Sequence, residues 1–151
     1  MPAERKSSAR PQPSGVSRFG VSMSAGLLER FDRLIARKGY ANRSEAIRDM
    51  VRDRLVDEEW EHGDREVVGT LTLIYDHDAL TLISRLMDLQ HEMHGRVIST
   101  LHVHLDAHHC LETMVLRGSA DDIRETAEKI VSLKGVKHGK LAATSIGEHL
   151  T

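Results

Sequence analysis

The 151 residues allow one large domain or two small ones. A formal charge of −2 hides an asymmetry: residues 1–56 carry twelve basic and six acidic side chains, and the remainder nine and seventeen, which points to a basic anion-binding module joined to a second part. No apolar run approaches the ~18 residues of a membrane span, the N-terminus has no signal-peptide core, and the single cysteine, Cys110, excludes an intrachain disulfide framework. A cytoplasmic protein with no membrane association is expected. Of the ten histidines, six fall between His91 and His109.

Residues 1–15 mix Pro, Ser, Arg and Lys with almost no large apolar side chains, so they read as a flexible basic arm bearing Arg5, Lys6 and Arg10. Phe19, Val21 and Met23 alternate with Arg18, Gly20 and Ser22, which predicts a short strand with one apolar and one polar face. Ser24 stands as an N-cap ahead of Leu27, Leu28, Phe31, Leu34 and Ile35 at helical spacing, and Gly39 is placed to stop that helix. A second helix opens at Asn42-Arg43-Ser44-Glu45, which resembles a capping box. Its apolar stripe is Ile47, Met50, Val51 and Leu55, and it runs out near Trp60, expected at a domain junction. A lone short strand needs a partner for its backbone groups, and ~45 residues make a thin core. Residues 16–61 therefore imply two chains paired through their strands.

Residues 62–66 form a polar connector. Beyond it, 67–75 is β-like, 79–94 has helical periodicity, 97–105 and 111–116 alternate, Ser119 or Asp121 can cap a helix through Ile123, Ala127, Ile130 and Val131, and 136–146 reads as a last strand. Gly135 is expected to end the preceding helix. The order β-α-β-β-α-β over residues 67–147 is the ferredoxin-like arrangement, followed by a tail at 148–151. The fold class is thus α+β.

His102 and His104 lie two apart on a predicted strand and share a face, and a short turn can bring the Cys110 sulfur beside them. Two imidazoles and a thiolate make a borderline-soft N/S metal site, to which His91 can add a fourth nitrogen from the same or a neighbouring chain. His62, His77, His94, His108, His109 and His138 read mainly as solvated side chains, with weaker metal sites as the alternative.

Arg18-Phe19-Gly20-Val21-Ser22 followed by Gly39-Tyr40-Ala41-Asn42-Arg43-Ser44-Glu45-Ala46-Ile47-Arg48 resembles a ribbon-helix-helix DNA-binding domain. The resemblance implies a two-stranded ribbon in the major groove of double-stranded DNA, presenting Arg18, Gly20 and Ser22 to base edges, with the helix start at Arg43 and Ser44 against a phosphate. Gly20 has no side chain to read with, a departure from that family.

Gln90-His91, Thr100-Leu101-His102-Val103-His104, Cys110-Leu111-Glu112 and Gly135-Val136-Lys137-His138-Gly139 together are similar to the nickel-responsive regulators of the NikR type. That resemblance spans residues 18–138 and implies an ACT-type domain, a homotetramer built as a dimer of dimers, and a palindromic operator. It also implies one planar Ni(II) per chain, held by His102, His104 and Cys110 of one chain and His91 of another, with Glu112 orienting an imidazole. It further implies an alkali cation, K+, near Glu45 and Asp49. Where relatives carry basic residues after the first regulatory strand, this chain has Asp78-Ala79-Leu80, so phosphate contacts there are expected to be lost.

The implied function is a repressor of nickel-uptake genes. A rival reading is a ribbon-helix-helix repressor whose ACT-like domain senses a small organic effector or another transition metal. An enzyme using Cys110 as nucleophile and His102 or His104 as base lacks any recognisable oxyanion hole or substrate pocket and leaves the basic module unexplained, so no catalysis is expected.

Overall fold

The structure, a computed structural model, describes residues 15–93, 96–148 and 150. The arm bearing Arg5, Lys6 and Arg10, and His94, lie outside the described residues. Among those described, the elements run α1 (Ala25–Lys38), α2 (Arg43–Glu61), β1 (Glu66–Asp76), α3 (Leu80–Glu92), β2 (Val97–His104), β3 (His109–Ser119), α4 (Ala120–Val131) and β4 (Val136–Thr144). The chain groups into two compact units, one up to Arg43 and one from Ser44 onward.

In the first unit, Ser24 Oγ accepts the Leu27 N–H at 3.4 Å and so caps α1. Gly39 closes the helix at φ 82°, its N–H donating to Ala36 O and that of Tyr40 to Ile35 O, both at 3.1 Å. Only glycine takes this left-handed conformation without a Cβ penalty. The alternating segment 17–23, expected as a strand, carries none among the described residues. The reason is physical: a strand exists through hydrogen bonds to a neighbour, and the sheet of this chain is built from β1 to β4 alone. Phe19, Val21 and Met23 are left 75%, 57% and 39% exposed, an apolar face that the other described residues do not cover.

The second unit is an antiparallel sheet in the order β2-β3-β1-β4. Val67, Leu71, Leu73 and Tyr75 of β1 alternate inward, as do Cys110, Glu112, Met114 and Leu116 of β3. They pack with Leu82 and Leu86 of α3 and Ile123, Ala127 and Ile130 of α4. Ser119 Oγ accepts the Asp122 N–H at 3.2 Å and is the cap that α4 uses. That helix stops at Val131 with Ser132 as C-cap, so Gly135 does not end it; Gly135, at φ 110°, instead makes the turn into β4.

Trp60, on the last turn of α2, packs into this same core and so stands where that helix meets the sheet, as expected. Its ring lies over Gly69, where an added Cβ would come within 3.1 Å of Trp60 Cη2 and 3.0 Å of Leu141 Cδ1. Its Nε1–H donates to Thr144 O at 2.9 Å, and the Arg124 guanidinium stacks 5.6 Å from the ring centroid. The last turn of α2 is therefore tied to the β2-β3-β1-β4 sheet. The opposite sheet face, with Leu111, Thr113 and Val115 of β3 only half-buried and Leu101 and Val103 of β2 exposed, is covered by neither α3 nor α4. Trp60→Ala should destabilise this unit by about 3–5 kcal/mol, and Trp60→Phe by less, read from urea unfolding followed by far-UV circular dichroism.

Candidate metal centre

Cys110 is the Cα partner of Tyr75 on β1 and of His104 on β2. This register stacks three chemically active side chains along one rim of the sheet. His104 Nδ1 lies 3.4 Å from Cys110 Sγ, and His77 Nδ1, two residues beyond Tyr75, lies 3.3 Å from the same sulfur. The donor atoms of His77, His104 and Cys110 all fall within 4.8 Å of one another, the two imidazoles being exposed and the thiol buried. The His77 and His104 rings meet edge-on at 4.7 Å.

His77 was expected among the solvated histidines, yet the structure brings it to the thiol. The signal was available as parity: Leu73, Tyr75 and His77 are alternate residues, so His77 continues the inward face of β1. His102 is on the same face as His104, their ring centroids 4.8 Å apart, but its Nδ1 faces the Tyr75 hydroxyl at 3.1 Å. His91 lies on α3 outside the cluster, beside a groove lined by Met87, Gln90 and residues 97–100. Glu112 reaches His102 only at 3.8 Å. It is buried, with Oε2 accepting from Tyr75 Oη–H at 2.7 Å and Oε1 from Gln90 Nε2 at 3.0 Å.

This network sets the His102 tautomer. The Tyr75 hydroxyl has one proton and gives it to the carboxylate, the better acceptor. Toward His102 the phenol oxygen must then accept, which keeps a proton on Nδ1 and leaves the Nε2 lone pair free for a metal. Burial, and after it the Glu112 hydrogen bond and charge, hold the Tyr75 hydroxyl well above the ordinary phenol range, so it stays a donor. The Cys110 thiol is also pushed up, first by burial and then by the Asp106 and Glu112 charges. The metal-free site therefore holds a thiol, and a bound cation must displace its proton.

The β2–β3 turn is fixed by Asp106. Its Oδ1 accepts the His108 and His109 N–H groups at 2.7 and 2.8 Å, and Oδ2 lies 2.8 Å from His109 Nδ1. The His108 N–H, then the His109 side chain, hold the Asp106 carboxyl at about 2. His62 Nδ1 lies 2.8 Å from Glu58 O.

The residues expected at DNA are placed on the first unit and the start of α2. Arg18, Gly20 and Ser22 are exposed. The Arg43 guanidinium forks onto Asp32, Nε to Oδ1 and Nη2 to Oδ2 at 2.7 Å each. Ser44, Glu45 and Asp49 lie on α2, and Asp49 Oδ1 accepts from Arg52 Nη1 at 3.1 Å. Asp78 and Ala79 lead into α3, and Leu80 is 77% exposed.

A Tyr75→Phe change removes the donor to a buried carboxylate, a loss of about 1–3 kcal/mol in stability. It also frees the His102 ring, and a 10–100-fold weaker metal affinity should follow in a titration against a competing chelator.

Residues 68–144 match the family model described as the NikR C-terminal nickel-binding domain, and residues 17–58 that of ribbon-helix-helix proteins of the copG family. A nickel-responsive regulator of Thermococcus onnurineus (strain NA1) is 55% identical over 135 residues, covering 89% of this chain and 98% of that protein. One from Geobacter sp. (strain M21) is 56% identical over 133 residues, covering 88% and 96%. Another, from Nitratidesulfovibrio vulgaris (strain DSM 19637 / Miyazaki F), is 53% identical over 134 residues, covering 89% and 96%. The chain belongs to the NikR family of nickel-responsive regulators.

Proposed function

We propose that this chain is a nickel-responsive DNA-binding regulator that represses nickel-uptake genes in the cytoplasm. The observation that carries the metal half is the Cys110 thiol with an imidazole nitrogen of His104 at 3.4 Å and the His102 ring beside it. These are N/S donors of the kind that suit late first-row metals. His102, His104 and Cys110 would provide three donors to one Ni(II) per chain, and His91 of a neighbouring chain the fourth; the bound ion would supply a compact positive charge joining the chains.

An assembly of chains is favoured by the surface. β2 is an edge strand, and Ile98, Leu101, Val103 and Leu105 are 56%, 61%, 38% and 53% exposed along it. An apolar edge of that kind seeks a partner. Residues 17–23 call for a second pairing, strand to strand, and the two together give a homotetramer built as a dimer of dimers. Each ribbon would present Arg18 and Ser22 to bases of a palindromic operator, with Gly20 passing close without readout. The backbone at Ser44 would meet a phosphate, since the Arg43 side chain is engaged by Asp32. Glu45 and Asp49 remain the candidates for a K+ site, Asp49 sharing one oxygen with Arg52.

Control follows from differential affinity. Nickel that is held by two chains favours the arrangement in which His91 reaches the site, and only that preference can shift DNA binding. By linkage, operator DNA must tighten nickel binding by the same factor.

A nickel titration of the metal-free protein, followed by absorption, should reach one equivalent per chain with a thiolate charge-transfer band that Cys110→Ala lacks. Equal binding by wild type and variant would reject the site. Because one thiol proton leaves per metal and that thiol sits above its ordinary value, affinity should fall about tenfold per pH unit as pH drops below it. Retained affinity down to pH 5 would contradict thiolate ligation.

A further inference from the structure

We propose that Asp32 stands in for a DNA phosphate, holding the Arg43 side chain out of the nucleic-acid contact and so lowering the affinity for duplex of arbitrary sequence. This inference rests on the reading of the chain as a DNA-binding regulator and names a residue that limits that binding.

The Arg43 guanidinium meets the Asp32 carboxylate as a fork, Nε to Oδ1 and Nη2 to Oδ2, both at 2.7 Å. A guanidinium grips a phosphate with the same two parallel N–H groups, so one anion can replace the other without any change in the donor. The partners are eleven residues apart and join α1 to the first residue of α2. By contrast, Glu29 and Arg33 pair within one turn of α1.

Arg43 also stands at an unusual place for a cation. It opens α2, where the helix dipole is positive and favours negative charge. A guanidinium there serves an anion rather than the helix, and among the described residues that anion is Asp32. The hydrogen bond from Arg43 holds the Asp32 carboxyl below the ordinary carboxylate value, so it stays ionised at neutral pH. Both side chains are open to solvent, 55% exposed for Arg43 and 42% for Asp32. The pair therefore adds little to stability, and a phosphate can approach the guanidinium from solvent.

The effect on binding is electrostatic. An arginine already neutralised by a carboxylate adds no net charge with which to release counterions from DNA. A displaced carboxylate would remain beside the phosphate, where like charges repel. Contact at the start of α2 is then left to uncharged backbone N–H groups, which position the domain without reading sequence. Low affinity for arbitrary duplex leaves discrimination to the ribbon.

The test uses the full nickel-loaded chain and a short duplex of arbitrary sequence, with binding followed by fluorescence anisotropy across a salt series. Asp32→Asn keeps the size of the side chain and removes its charge. It should steepen the fall of log K with log[salt] by about 0.9 per bound chain, a gain roughly 3.5-fold larger per contact at about 50 mM salt than at about 200 mM. In an Arg43→Gln background the same change should leave the slope as it was. Arg43→Lys keeps the charge but not the two-bond fork, so it should steepen the slope too, by less, and it serves if Asp32→Asn does not fold. A pair that is only a strut between helices would lower the melting temperature on Asp32→Asn and leave the slope untouched, which overturns the proposal. Equal steepening in the Arg43→Gln background overturns it as well, because loss of any negative charge then explains the effect. If neither wild type nor Asp32→Asn binds duplex at low salt, the DNA-binding reading fails and takes this proposal with it; if wild type binds and only the shift is missing, this proposal fails alone.

Discussion

The central strand β3 is held on both sides, by β1 and by β2, and the register of those two pairings brings His77, His104 and Cys110 together. Because Cys110 faces Tyr75 across one ladder and His104 across the other, its sulfur sits between the end of β1 and the end of β2. A slip of one residue on either side would turn the imidazoles to the opposite sheet face. Two devices resist such a slip. Leu71, Leu73, Met114 and Leu116 are fully buried on the helix side, and Asp106 ties the β2–β3 turn through two backbone N–H groups. The metal chemistry is thus a consequence of ordinary sheet packing carried out to the rim.

Beneath the donors lies a buried carboxylate, which is costly unless satisfied. Glu112 is satisfied from two elements at once, by Tyr75 of β1 and Gln90 of α3. Gln90 immediately precedes His91, so the position of that part of α3 and the orientation of His102 are read by the same carboxylate. In physical terms, the positions of His91 and His102, the ligands proposed between chains and within one chain, are not independent. That coupling gives a metal site something to act on beyond its own bonds.

Much of this was legible in sequence, for identifiable reasons. Period-two burial is strict on β1 and β3, and the helices α1 and α4 open on serine caps, so elements and their order followed from pattern. His102, His104 and Cys110 could be grouped because they lie across one hairpin, a local contact. His77 could not be grouped with them in the same way, since its approach depends on the pairing of β1 with β3, strands separated by α3 and β2. Only the parity with Tyr75 hinted at its face. The extent of α4 was misjudged because Gly135 is a strong breaker, yet Ser132 had already ended the helix. Trp60 was placed where α2 meets the sheet, but nothing near it in sequence shows that Gly69 leaves room for its indole. The segment 17–23 has the alternation of a strand and no strand partner among the described residues, so alternation alone did not decide its state.

The claim on which the account most depends is that the nickel site is shared between chains. Mixing a His91→Ala protein with a Cys110→Ala protein tests it directly, after the two have been allowed to exchange subunits. Neither variant alone holds a complete donor set. In mixed assemblies the first supplies His102, His104 and Cys110 and the second supplies His91, so the nickel–thiolate band should reappear, along with nickel-dependent DNA binding. If the mixture stays as silent as its parts, or if His91→Ala alone gives the full band, the site is completed within one chain and the shared centre is wrong.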